Sequence, residues 1–61
     1  MNVSVVTYFE IILNGVVIAT ADDEQEARDA CPENASVFAA SKTVIDQGDE
    51  IHVVINKMKL K

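Results

Sequence analysis

The chain reads as an α+β domain of order ββαββ: a four-stranded, mainly antiparallel sheet with one short helix packed on one face. Three observations predict it. Asn14-Gly15 lies between two runs rich in Val and Ile. A two-residue type I′ turn needs positive φ at both central positions, and this dipeptide supplies it. The acidic stretch Asp22 to Cys31 carries Ala27, Ala30 and Cys31 at helical spacing. Two further β-rich runs, Ala35 to Ile45 and Glu50 to Asn56, flank Asp46-Gln47-Gly48-Asp49, where Gly48 can take positive φ.

The first hairpin spans Val3 to Thr20. A two-residue loop sets Leu13 opposite Val16, Ile11 opposite Ile18 and Phe9 opposite Thr20. Strand alternation then places Val3, Val5, Phe9, Ile11, Leu13, Val16 and Ile18 on one face, the expected core side. The other face gathers Ser4, Val6, Tyr8, Glu10, Ile12, Val17 and Ala19. It is more apolar than a solvated face needs to be, so it is either covered by a partner, self or foreign, or tolerated.

Asp22 reads as the helix N-cap, with Gln25 three residues later as in a capping box. The acids cluster in the first turns, where the helix dipole favours negative charge. Ala27, Ala30 and Cys31 make a narrow stripe of small residues, which lets the helix lie close to a sheet. Pro32 disfavours α geometry at Cys31 and ends the helix there. A helix of about nine residues is not stable alone and depends on the sheet.

In the third strand Val37, Ala39, Ser41, Thr43 and Ile45 alternate with Phe38, Ala40, Lys42 and Val44, and neither side is cleanly polar. The fourth strand has Ile51, Val53 and Ile55 as its expected core side. In the tail Lys57-Met58-Lys59-Leu60-Lys61 the apolar positions become even-numbered. That phase change marks a bulge, a strand end or a change of partner, and the tail either extends strand four or lies at an edge.

A chain of 61 residues makes one domain, 1–61, and a chain so short is marginally stable unless something helps. A single cysteine, Cys31, excludes an intrachain disulfide, and a single histidine, His52, supplies no metal cluster. No metal and no cofactor are expected. The missing stabilisation comes from good packing or from self-association, so a homodimer is expected. The N-terminus lacks a basic region and no apolar run is long enough to span a bilayer, so no membrane association is expected. The lone thiol fits a cytoplasmic setting.

Charge is uneven. Residues 1–34 carry Glu10, Asp22, Asp23, Glu24, Glu26, Asp29 and Glu33 against Arg28, a balance of −6; residues 35–61 balance at +1, for a net −5. An acidic chain repels phosphate backbones, so direct duplex binding is disfavoured.

The acids Asp22, Asp23, Glu24, Glu26 and Asp29 are either a solvated helix face or a recognition surface for a basic partner. They do not follow a calcium-loop pattern. Glu50 and His52 share a strand face, but no nucleophile with a base stands at recognisable spacing around them. Lys57, Lys59 and Lys61 read as a solubilising edge; a nucleic-acid strip would want more charge and accompanying aromatics. Tyr8, with Ile12 and Val17, is a candidate apolar contact.

In size, charge and element order, with Asn14-Gly15 and the helix Asp22 to Cys31, the chain resembles the small acidic inhibitors that phages make against host enzymes. These include anti-CRISPR proteins and DNA-mimic inhibitors of uracil-DNA glycosylase. The resemblance implies action in a host cytoplasm on a larger, nucleic-acid-handling protein. The expectation is a non-enzymatic protein-binding module, an inhibitor or modulator. It would use Asp22, Asp23, Glu24, Glu26 and Asp29 for polar recognition and Tyr8, Ile12 and Val17 for apolar contact. The alternatives are a nucleic-acid accessory protein using Lys42 and the C-terminal lysines, or a self-associating structural module.

Overall fold

Asn14 and Gly15 take φ of 52° and 79°, so the first turn has the two positive dihedrals that a type I′ hairpin requires. It joins β1 (Asn2–Leu13) to β2 (Val16–Ala21); α1 (Glu24–Ala30), β3 (Ser36–Asp46) and β4 (Ile51–Lys59) follow. The computed structural model describes residues 1–60. All four strands form one antiparallel sheet in the order β2-β1-β3-β4. β2 and β3 flank β1 and run parallel to each other, and α1 makes the crossover between them. The second hairpin turns through Gly48 (φ 95°), whose N–H donates to Asp46 Oδ1 at 2.9 Å.

The register of the first hairpin departs from the simple expectation. Leu13 pairs with Val16 and Ile12 with Val17, but Ile11 then meets Ala19, Glu10 meets Thr20 and Phe9 meets Ala21. Ile18 is therefore the extra residue of a β-bulge. It does not face Ile11, and Thr20 does not face Phe9. The slip moves β2 to the opposite alternation. It puts Ala21, rather than Thr20, opposite Phe9 and under the helix, where the small side chain permits close approach.

Asp23, not Asp22, caps the helix: its backbone is extended (φ −125°, ψ 138°) and its side chain accepts from the Gln25 N–H at 3.4 Å. The helix is seven residues long, and Cys31 is extended (φ −76°, ψ 121°) immediately before Pro32. The chain turns back through a hydrogen bond from Ala35 N–H to the Pro32 carbonyl (3.1 Å). Of the expected stripe, Ala27 is wholly buried and Cys31 half-buried, while Ala30 is exposed. One turn of a helix this short can press only its central residue flat on the sheet.

The core is small. Ala21, Ala27 and Val37 form its centre, with Phe9, Cys31 and Leu60 against them. Ile11 and Val37 are the largest fully buried side chains. α1 rests on β1, β2 and β3 and does not reach β4. Val3 and Val5, expected in the core, are 56% and 61% exposed because the helix ends short of them.

The fourth strand carries a second correction. Ile51, Val53 and Ile55 pair with Asp46, Val44 and Lys42, which share their face with Tyr8 and Glu10. They therefore lie on the sheet face opposite the helix. Pairing continues without a slip to Phe38↔Lys59, and the Leu60 N–H donates to the Val37 carbonyl at 2.8 Å. The tail thus extends strand four and lies at the sheet edge. The phase change in the sequence is no bulge: Met58 and Leu60 lie on the helix-side face, where Leu60 packs against the core and Met58 stays exposed, and farther out Ile51, Val53 and Ile55 lie on the open face. Lys61 lies outside the described residues.

The result is long and thin, 44 × 21 × 15 Å, with a radius of gyration of 13.6 Å. A compact chain of this length has about 10.5 Å. Its accessible surface, 4322 Å², exceeds the roughly 3900 Å² of an ordinary monomer of its mass.

Candidate interaction surface

β2 pairs only with Phe9–Leu13 of β1, and α1 covers that same end. Beyond Tyr8 the sheet continues as a three-stranded arm, built from the N-terminal half of β1, the C-terminal half of β3 and the N-terminal half of β4. Six residues per strand make it about 20 Å long. Register assigns Val6, Val44, Val53 and Ile55 to its open face, and Val3, Val5, Ile45 and Val54 to its helix-side face. Val3, Val5, Val6, Ile51, Val53, Val54 and Ile55 are all exposed. Among the described residues no element covers either face, so the arm presents apolar surface on both.

The sequence-predicted contact residues fall on two surfaces. Ile12 and Val17 are direct cross-strand partners on the open face, and Tyr8 lies on the same face of β1. The acids Asp22, Asp23, Glu24, Glu26 and Asp29 are exposed on the helix, on the far side of the sheet. The two groups stand back to back and do not form one patch. Several acids are also engaged locally. Arg28 Nε donates to Glu24 Oε2 (2.8 Å), Gln25 Nε2 donates to Asp29 Oδ1 (2.9 Å), and Asp23 caps the helix. Among the described residues, Asp22 and Glu26 have no such partner.

The open face carries the lysines. Lys42 pairs with both Val6 and Ile55, Lys57 with Ala40, and Lys59 with Phe38. Glu10, only 7% exposed, lies on this face, and its Oε1 is 2.7 Å from Lys57 Nζ. The ammonium approaches outside hydrogen-bond geometry, and no other donor among the described residues reaches that oxygen. The pair bridges β1 and β4 across β3, over the buried methyl of Ala40. A charge separation seen along the sequence is thus a separation between two sides of the sheet: acids on the helix, lysines opposite.

His52 and Glu50 meet at 3.3 Å, with side chains 55% and 70% exposed. Among the described residues no group of three or more His, Cys, Asp or Glu side chains is arranged to hold a metal ion. A shallow notch of about 280 Å³ opens beside the helix, between Thr7, Phe9, Ala39, Ser41, Asn56 and Met58. Tyr8, Ala40 and Lys57 complete its lining. Among the described residues no helix is long and apolar enough to cross a membrane.

The sequence places Glu10 on the outer face but does not show its burial or its pairing with Lys57, and it does not show that Val44, Val53 and Ile55 belong to that face. A signal was present: β3 and β4 carry apolar residues at both odd and even positions, and one short helix cannot cover both sides of two long strands. No family model, curated protein or solved structure matches the chain.

Proposed function

We propose that this chain is a non-enzymatic protein-binding module that inhibits or modulates a larger partner through its sheet. One observation carries the reading: the arm beyond Tyr8 is apolar on both faces and nothing among the described residues covers it. Contiguous apolar surface of this kind marks interaction sites in soluble proteins. Tyr8, Ile12 and Val17 extend the contact along the open face, with tyrosine a favoured interface anchor. The acids on the helix steer a basic partner and set the salt dependence of its arrival. A nucleic-acid-handling enzyme fits that chemistry, as the phage-inhibitor resemblance also implies. The same unsatisfied sheet favours a homodimer.

The experiment is affinity capture from a nuclease-treated lysate of the source or host cell, washed at low and high salt, with two surface variants beside the parent chain. One variant is Val6→Lys with Val53→Lys on the arm; the other is Asp22→Lys with Glu26→Lys on the helix. Loss of the same partner with the arm variant supports the reading. A partner retained in full by both variants defeats it.

A second reading has its own observation. Tyr8 and Phe38 share the open sheet face with Lys42, Lys57 and Lys59, and single strands stack on aromatic side chains flanked by positive charge. Lys57 is already engaged by Glu10, and the chain carries −5 overall, both of which weigh against it. A gel shift with single-stranded probes at low salt tests it.

A further inference from the structure

β4 is the outer strand of the sheet on the arm side, and all nine of its residues are exposed. Its outward N–H and C=O groups form a continuous unpaired row, which is a template for another strand. The two sheet edges are unequal. β2 is six residues long and broken by the bulge at Ile18, both of which blunt an edge. β4 is regular over nine residues, has no proline, and has no Lys, Arg, Asp or Glu between Ile51 and Asn56. Its lysines stand only at its end.

We infer that β4 pairs edge to edge and antiparallel with β4 of a second copy, about a two-fold axis at Val54. This rests on the reading of the sheet as unsatisfied surface and names one occupant of it. Charge supports the direction. β4 is entered through Asp49 and Glu50 and leaves through Lys59, Lys57 being engaged by Glu10 of its own chain. An antiparallel copy sets each acidic entry beside a basic exit, twice over, whereas a parallel copy would set like beside like. Centred on Val54, the pairing puts Val54 beside its equivalent, Val53 beside the second copy's Ile55, and Asp49 beside the second copy's Lys59. Opposed residues then lie on the same sheet face, as an antiparallel ladder requires.

The joined sheet has eight strands, and the apolar surfaces of the two arms become continuous on both faces. Face-to-face stacking of two open faces is the competing geometry. It would bury Lys42, which sits between Val6 and Ile55, against a second copy's lysines. The paired edge is about 35 Å long, from Asp49 to Lys59, and about 10 Å thick. That is a section of roughly 350 Å² per copy, about 700 Å² in all and below the range of stable interfaces, so the dimer is weak and dissociates on dilution.

The test is sedimentation velocity over rising concentration with the parent chain, Val54→Lys, Val54→Glu, and an equimolar mixture of the two variants. Val54 is half exposed, and circular dichroism of each variant checks its fold. The expected result is a parent species at twice the 6.7 kDa chain mass, monomers for each variant alone, and recovery of the dimer in the mixture. A parent monomer at every concentration overturns the inference. So does a dimer that neither charge disturbs. Should either variant misfold, zero-length carbodiimide crosslinking of mixed light and heavy parent chains decides instead. Asp49–Lys59 links between light and heavy chains are expected, and their absence from the crosslinked dimer is contradictory. A monomer that still captures a partner through its arm would overturn this dimer while sustaining the protein-binding reading.

Discussion

Glu10 Oε1 and Lys57 Nζ meet at 2.7 Å, tying the central strand β1 to the edge strand β4 over Ala40. The carboxylate is almost wholly buried, while the lysine side chain keeps 38% of its exposure. The two partners are therefore not equivalent. Removing the lysine strands a buried charge; removing the glutamate leaves an ammonium that can turn to water.

Lys57→Met is accordingly expected to destabilise the fold by about 1–3 kcal/mol, the cost of a buried polar group left without its partner. Glu10→Met should cost less, and the double variant should recover much of the loss, because a buried pair replaced by apolar groups of similar volume is often neutral. Urea unfolding of the three variants measures this. A double variant as unstable as Lys57→Met alone would contradict the assignment.

Gly15 has φ of 79° and open space around the position of an added Cβ. Gly15→Ala therefore meets no clash, and its cost is the left-handed backbone alone, about 1 kcal/mol. Gly48→Ala, with φ of 95° and equal space, should also destabilise. Asn14→Gly should be tolerated, since Asn14 itself sits at φ 52°. Thermal unfolding orders these three.

The helix lies flat on the sheet through Ala27, which has no exposed surface, while Ala30 points outward. Ala27→Leu should lift the helix and cost about 1–3 kcal/mol by overpacking. Ala30→Leu should change stability by no more than about 0.5 kcal/mol. Equal effects at the two positions would mean a different helix rotation.

Asp23 accepts from the Gln25 N–H at 3.4 Å, a long cap bond. Asp23→Ala should lose about 0.5–1 kcal/mol, and Asp22→Ala less than that. The pair separates the observed cap from its neighbour by denaturant unfolding.

Much of the fold was legible because local chemistry dictates it. Asn14-Gly15 permits one tight turn, Pro32 stops the helix, and Gly48 marks the second turn, so the order ββαββ could be read directly. Strand order could not, because pairing of β1 with β3 is a long-range choice that no local signal encodes. The bulge at Ile18 escaped for a related reason: both Ile18 and Ala19 fit a strand, and only the need for a small residue under the helix selects between the registers. The same slip misplaced Thr20. For Ile51, Val53 and Ile55, alternation shows that the residues share a face without showing which face, so the sequence alone does not reveal that they lie opposite the helix. Glu10 gave no warning of burial, since its partner Lys57 lies two strands away. At the surface, Ile12 and Val17 were readable as a patch because the hairpin sets them opposite each other. The separation of that patch from the helix acids follows only from which side α1 takes.

Hydrogen exchange of the chain, free and in a complex with its captured partner, tests the central claim most directly. If the arm is the working surface, exchange slows on binding at Val3–Val6, Lys42–Ile45 and Val53–Ile55, with α1 unchanged or changed far less. Slowing confined to Asp22–Asp29, with the arm exchanging as in the free chain, would contradict it.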